Sequence, residues 1–438
     1  MSNLKAYKYR LYPDKKQAEK LQWTLDRARE LYNAALQERR DAYEIRIKRH
    51  PNYHDEATRK QLTQEHALTY IQQTTQLPAI KVVRPEYNDI HSQVLQDVLR
   101  RVDKAYQAFF RRVKEGKTPG YPRFHGYGRY DSFTFPQSGF SLTEDNRVCL
   151  SKIGTIKVKF SKGKKANPPG GEMKTCTIKR ETNHWYVIFT CELEQEIVYH
   201  PSEEATGIDL GLVHFATLSD GSTIENPRHL RQAEHKLKKL QEALSRKKCG
   251  SKRRRKAAQR VGKTHRHIRN QRKDFHHKEA RKLVTQYQTI VFEKLAPSKM
   301  SKRPKPKQDE KTGQYLPNGA SAKAGLNKSI LDAGWGQFQQ ICESKAECAG
   351  SRVLFVSPKY TSQMCSGCGV IVQKELEERW HSCSCGCSLD RDHNAAKNIL
   401  QLGLQALETE SCARTERSGD APLRSPRLSP GESSRYCR

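Results

Sequence analysis

Gly207-Ile208-Asp209-Leu210-Gly211 places a single carboxylate inside a short apolar run bounded by glycines. The run reads as a strand that turns into a second one, Val213 to Leu218, and Asp220-Gly221 makes the next turn. Downstream, Ile290-Val291-Phe292-Glu293 is a buried strand closed by an acid, and Arg352 to Val356 is another. Asp392 directly precedes a helix expected over Asn394 to Leu400. Ser329 to Ala349 reads as a helix too. Taken singly, a strand-end aspartate is usually a turn former and one before a helix is usually a cap. If Asp209, Glu293 and Asp392 converge, they suit two divalent ions about 3.5–4 Å apart, an arrangement that cleaves phosphodiesters.

Between these acids lies a cysteine cluster. Cys365-Ser366-Gly367-Cys368-Gly369 is a metal knuckle, in which glycine permits the tight turn that aims amides at thiolate sulfur. Fourteen residues separate Cys368 from Cys383-Ser384-Cys385-Gly386-Cys387, whose spacing departs from the common two-residue gap. Cys385 precedes Gly386 and so matches Cys368. The expected ligands are Cys365, Cys368, Cys383 and Cys385, with Cys387 the substitute for Cys383. Four sulfurs without an open position call for one structural Zn²⁺. Hard Mg²⁺ prefers the carboxylates, so the two metal chemistries are separated.

The 438 residues leave room for several domains, with 35% hydrophobic residues arranged in small cores. Eighty Lys and Arg against 48 Asp and Glu give a net charge of +32, which points to a polyanionic partner. Residues 231–282 hold 21 Lys and Arg and 4 acids, on two helices expected to meet at Cys249-Gly250-Ser251. Too few acids are present for i,i+4 pairing, so Lys252, Arg253, Arg254 and Arg255 are candidate nucleic-acid contacts. No apolar stretch is long enough to span a bilayer, and Met1 to Lys20 is charged throughout. A cytoplasmic chain with reduced thiols and no membrane partner is expected.

The N-terminal half opens with a strand, Ala6 to Tyr12, and a helix striped by Leu21, Leu25, Ala28, Tyr32 and Ala35. His50 to Asn88 is polar, with a short helix expected at Ala67 to Ile71, and Ser92 to Val113 is a second long helix. Short strands are expected at Ser132–Phe135, Thr155–Phe160 and Trp185–Glu194, divided by the loop Asn167 to Gly171. Met300 to Gly319 reads as a mobile loop and the chain after Leu407 as disordered.

In this order, Gly207–Gly211, Ile290–Leu295, Asp332-Ala333-Gly334-Trp335-Gly336, the two knuckles and Asp390-Arg391-Asp392-His393-Asn394-Ala395-Ala396 resemble TnpB. TnpB proteins are insertion-sequence relatives of type V CRISPR effector nucleases, often described as transposases. The turn Tyr121-Pro122-Arg123-Phe124 also matches. The resemblance implies a multidomain α+β chain. An OB-like wedge β-barrel (1–15 and 116–203) would hold an inserted helical recognition domain (16–115). A RuvC-like nuclease of RNase H fold (204–360 and 390–405) would hold an inserted zinc ribbon (361–389), with a disordered tail at 406–438. It implies Asp209, Glu293 and Asp392 as catalytic residues on two Mg²⁺, with Asp392 preferred over Asp390 because it stands two residues before Asn394-Ala395-Ala396. It further implies a guide RNA from the transposon end and a double-stranded DNA target beside a short motif. Gln96, Thr134 and Arg123 are its candidate nucleic-acid contacts. The function implied is RNA-guided DNA cleavage in a prokaryotic cytoplasm, at the nucleoid when on DNA. A strand-joining transposase and a non-cleaving nucleic-acid-binding regulator are the competing readings.

Overall fold

A computed structural model describes residues 3–160, 169–193, 202–309, 312–375 and 378–418. The chain divides into two compact units, one ending at Glu196 and the other starting at Ile197.

In the first unit, strand β1 (Asn3–Tyr12) leads to helix α1 (Lys15–Asp41). Asp14 and Gln17 form a capping box at the start of that helix. The expected stripe Leu21, Leu25, Ala28, Tyr32 and Ala35 is buried. A wider helical turn, Ala42–Lys48, extends α1. The polar stretch beyond is more helical than periodicity suggests. It contains α2 (Glu56–His66), α3 (Tyr70–Thr75) and α4 (Leu77–Val83). Side-chain caps from Asp55 and Thr69 set the first two, and caps leave no apolar period to read. Helix α5 (Ser92–Lys114) buries Val94, Leu95, Val98 and Val102, while Val113 at its far end is exposed.

Six more strands follow: β2 (Ser132–Phe135), β3 (Phe140–Thr143), β4 (Arg147–Leu150), β5 (Gly154–Lys159), β6 (Glu172–Glu181) and β7 (His184–Leu193). They join β1 in one antiparallel sheet of order β2-β6-β7-β1-β5-β4-β3. Among the described residues β2 and β3 do not pair, so the sheet is open and not a closed barrel. Arg101 of α5 covers the β2 edge, donating to the Ser132 carbonyl at 2.7 Å and the Thr134 hydroxyl at 2.9 Å. The expected Asn167–Gly171 loop lies partly outside the described residues.

The second unit centres on five strands. These are β8 (Ala205–Asp209), β9 (His214–Leu218), β10 (Thr223–Glu225), β11 (Thr289–Glu293) and, after further helices, a fifth at Arg352–Val356. Helices α6 (His229–Ser245) and α7 (Lys252–Gln286) form the expected hairpin. A short helix, α8 (Pro297–Met300), ends where the segment expected to be a mobile loop begins, and that segment contains a small hairpin, β12 (Lys307–Gln308) with β13 (Tyr315–Leu316). The helix expected at Ser329–Ala349 is two helices, α9 (Ala320–Ala333) and α10 (Trp335–Ala349). They break at Gly334, whose φ of +66° ends one helix and starts the other.

The fifth strand, β14, completes a sheet of order β10-β9-β8-β11-β14. β10, β9 and β8 run antiparallel, and β8, β11 and β14 run parallel. A ribbon, β15 (Trp380–Ser382) with β16 (Ser388–Asp390), precedes helix α11 (Arg391–Ser418). That helix corrects the expectation of disorder from 406. It continues through residue 418, while 419–438 lie outside the described residues.

One close approach seats α11 on the sheet. A Cβ built at Gly207 of β8 would stand 2.2 Å from the Ala396 carbonyl oxygen and 2.5 Å from the Leu400 nitrogen. Only glycine lets the helix backbone lie this near the strand. Ala395 and Ala396, both buried, give α11 its flat face.

Candidate active site and cysteine cluster

Asp209 is the last residue of β8, and Glu293 the last of the parallel neighbour β11. Ile208 pairs with Phe292 in register, so the two acids stand one step further along adjacent strands. Asp392 comes from the first turn of α11, which crosses β8 at Gly207. All three line one cleft of roughly 500 Å³, together with Thr361, Ser362, Arg379 and Arg391.

The helix cap is Asp390, whose Oδ1 accepts from the Asp392 and His393 amides at 2.8 and 3.3 Å. That leaves the Asp392 carboxylate for the cleft, 3.5 Å from Arg391 Nε and 4.0 Å from an Arg379 nitrogen. Glu293 accepts from the buried Thr361 hydroxyl, and its carbonyl accepts from Gln339 Nε2 at 3.0 Å.

Burial is the main cause that pushes the Asp209 carboxyl up to about 8, with the negative charges of Glu293 and Asp392 adding to it. Its carboxyl lies deep among protein atoms although part of the residue remains accessible. Burial raises Glu293 as well, against the Thr361 hydrogen bond. Hard oxygen donors that repel one another in a shared cleft fit a divalent cation such as Mg²⁺.

The four sulfurs of Cys365, Cys368, Cys383 and Cys385 lie within 4.8 Å of one another. Cys365 and Cys385 approach to 3.6 Å, as do Cys368 and Cys383. Positive φ at Gly369 (+77°) and Gly386 (+87°) makes the two knuckle turns. Cys387 is outside this set and bonds through its carbonyl to the Cys383 amide at 2.9 Å. It belongs to a second group with Cys365 and the buried His381. Burial opposes the Cys365 thiolate, yet hydrogen bonds from His381 and from the Cys368 and Gly367 amides bring it down to about 5. The four-sulfur group could hold Zn²⁺.

Sequence reasoning missed His381, Thr361, Asn394 and Asn398 as structural links. Asn394 donates to the Met364 carbonyl at 2.7 Å and accepts from the Ser366 amide at 2.9 Å. Asn398 donates to the Thr361 and Met364 carbonyls at 2.8 and 2.6 Å. The first knuckle, α11 and Glu293 are therefore one hydrogen-bonded network. The Asn394-Ala395-Ala396 run was a signal for Asn394, and the position of His381 two residues before Cys383 was a signal for the other. Cys368→Ser is expected to lower bound zinc, read by metal analysis, and to expose the ribbon to proteolysis. Unchanged metal content would remove Cys368 from the ligand set.

Asp332 also acquires a reason. Buried, it accepts from the Leu230 amide at 2.9 Å and from Arg272 at 3.0 Å, tying α9 to both helices of the basic hairpin. Lys252, Arg253 and Arg255 are exposed at the start of α7. Arg254 is half-buried and donates to the Leu244 and Lys247 carbonyls at 3.1 and 2.8 Å, closing the hairpin. In the first unit Gln96 is half-buried on α5 and Arg123 is exposed. Thr134 bonds Thr177 at 2.8 Å besides Arg101.

Fold and site together define a strongly basic, mixed α/β protein with a carboxylate cleft beside a four-cysteine cluster. Family models match residues 188–303 as "Probable transposase", 335–399 as "Cas12f1-like, TNB domain" and 1–48 as "Helix-turn-helix domain". The last segment here is a strand followed by one long helix. An Escherichia coli protein, "Putative RNA-guided DNA endonuclease InsQ", is 33% identical over 76% of this chain and 78% of its own. A Streptomyces pristinaespiralis "Putative RNA-guided DNA endonuclease" is 30% identical over 96% of this chain and 94% of its own. The chain belongs to this family, the TnpB proteins of insertion sequences. A solved mini-RNA-guided endonuclease, Cas phi3, aligns over 92% of each chain with 11% identity and a TM-score of 0.43. Among the described residues no helix is long and apolar enough to cross a membrane.

Proposed function

We propose that this chain is an RNA-guided DNA endonuclease encoded by an insertion sequence, with Asp209, Glu293 and Asp392 as its catalytic residues. The observation that carries the reading is the shared cleft, to which two adjacent parallel strands and a crossing helix each deliver one carboxylate. The sheet order, three antiparallel strands continued by two parallel ones, supports an RNase H-like, RuvC-type nuclease. The first unit then serves as a wedge carrying inserted recognition helices, and residues 361–389 as a zinc ribbon. Action in the cytoplasm on nucleoid DNA is part of the same reading.

Asp209, Glu293 and Asp392 would hold two Mg²⁺ ions. Bound there, such ions supply a nucleophilic water at neutral pH and charge stabilisation for the leaving oxygen. The protein's part is positional. Thr361 and Gln339 fix Glu293, and Asp390 takes the cap so that Asp392 faces the cleft. Arg379 and Arg391 place cationic groups at the rim, where a phosphate of the scissile strand would pass. A guide RNA from the transposon end would carry sequence recognition by base pairing, and protein contacts would follow backbone and shape beside a short target-adjacent motif.

Lys252, Arg253 and Arg255 are proposed phosphate contacts, with Gln96, Thr134 and Arg123 contacts in the first unit. Thr134 would act through a hydroxyl already bonded to Arg101. Replacing Lys252, Arg253 and Arg255 by glutamine should reduce the slope of log affinity for RNA against log salt by about 2. An unaltered slope would mean that the helix tip faces solvent. The reading as a whole is tested by purifying the chain from cells bearing its locus, sequencing the RNA that accompanies it, and supplying matched duplex DNA. One discrete transcript and Mg²⁺-dependent cutting of the matched duplex are expected. Strand joining without RNA would instead assign a transposase.

A further inference from the structure

The far end of α5 and the turn after it carry an aromatic surface that the carboxylate cleft does not use. Phe110 is 60% exposed, Val113 50%, Tyr121 42% and Phe124 43%. The rings form one connected array. Phe109 packs edge-on to Phe110 at 5.2 Å and to Tyr121 at 5.3 Å, and Tyr106 lies near-parallel to Phe110 at 6.2 Å. The Tyr106 and Tyr121 hydroxyls are 3.0 Å apart. The Arg40 guanidinium stands 5.9 Å from the Tyr121 ring centre and 5.3 Å from that of Phe124, joining the two. Core packing explains Tyr106, which lies against the buried cluster, but it does not explain the exposed faces of Phe110 and Phe124. A contiguous apolar patch of this kind on a soluble surface marks an interaction site.

The charge around the rings selects the partner. Between residues 110 and 124 the chain carries Arg111, Arg112, Lys114, Lys117 and Arg123 against Glu115 alone. Glu115 is tied to Lys117 at 2.6 Å. Basic residues at a helix C-terminus complement its dipole, which accounts for one or two of them and not for Lys117 and Arg123 beyond the helix. Flat π faces flanked by this excess of cations suit a ligand that presents planar rings and anions at short, regular intervals.

We propose that this surface binds single-stranded nucleic acid, with unpaired bases stacked on Phe110, Tyr121 and Phe124 while Arg111, Arg112, Lys117 and Arg123 hold the flanking phosphates. Stacking is tolerant of base identity, so the surface grips an unpaired segment without reading its sequence. The assignment is separate from the carboxylate cleft and stands or falls whether or not the chain cuts DNA.

The test uses the full chain and fluorescent RNA and DNA oligomers of about twelve nucleotides, each paired with an abasic oligomer of equal length and charge. The parent protein should bind the base-bearing oligomers more tightly than the abasic ones. The double variant Phe110→Ala with Phe124→Ala should lose about tenfold or more on the base-bearing oligomers and nothing on the abasic ones. An unchanged ratio between the two kinds of oligomer overturns the proposal. So does loss confined to binding of phosphatidylserine vesicles, which would assign the patch to a membrane, or loss of a concentration-dependent dimer, which would assign it to a second copy. Photo-crosslinking of a bromouridine oligomer to the unmodified chain guards against a variant that fails to fold. Crosslinks within residues 106–124 support the assignment, and crosslinks found only elsewhere overturn it.

Discussion

Asp209→Ala should lower DNA cleavage by roughly three orders of magnitude or more, with RNA affinity nearly unchanged. The residue ends a central strand, and no described hydrogen bond of the fold depends on its carboxylate. Its removal therefore takes away a cleft carboxylate and little else. Retained cutting would dismiss Asp209 from the chemistry. The milder Asp209→Asn exposes a second consequence. With its carboxyl raised from 3.8 to about 8, the metal-free fold keeps a proton that the unfolded chain has released. The folded state is penalised progressively as pH rises through that window, and the penalty is absent below it. Metal-free Asp209→Asn should accordingly match the parent near pH 4 and exceed its stability by up to about 5 kcal/mol at pH 8. Mg²⁺ affinity of the parent should fall as pH drops below about 8, because protons compete for the same oxygens. Thermal melts and calorimetric titrations across pH read both effects. A variant no more stable than the parent at pH 8 would show that Asp209 is ionised without cost.

Gly207→Ala should be almost as damaging through packing alone. The added methyl group would meet backbone atoms of α11 at 2.2 and 2.5 Å, and backbone has no rotamer with which to yield. Either the helix lifts from β8 or the strand moves. Both displace Asp392 from Asp209 and strain the Asn394 and Asn398 bonds to the first knuckle. A loss of about 3 kcal/mol in stability is expected, with cleavage falling further than stability alone accounts for. A variant as stable and active as the parent would mean that α11 does not rest on Gly207.

Much of the site could be read from residue order, and the unread part has a physical reason. Asp209 between glycines and Glu293 at the end of an apolar strand were visible because strand periodicity and burial are local properties. Asp392 was ambiguous, since an acid before a helix is ordinarily its cap. Only the bond from Asp390 to the Asp392 amide separates the two roles. Thr361 and Gln339, which hold Glu293, come from segments 68 and 46 residues away, so spacing carried no trace of them. The choice between Cys383 and Cys387 rested on the same kind of information. A gap of one residue fits either knuckle until the turn at Gly386 directs Cys387 toward His381. The helix at Glu56–His66 and the continuation of α11 beyond Leu407 were lost for the opposite reason. Polar, capped or solvent-facing helices lack the apolar stripe on which periodicity depends.

The account's centre is that three carboxylates from distant segments clamp divalent cations against a DNA strand. Counting tightly held Mn²⁺ on the RNA- and DNA-loaded protein, in the parent and in Asp209→Asn, Glu293→Gln and Asp392→Asn, tests it most directly. The account predicts about two more ions on the parent than on the Asp209 variant, and at least one more than on either of the others. Equal counts on all four proteins would contradict it.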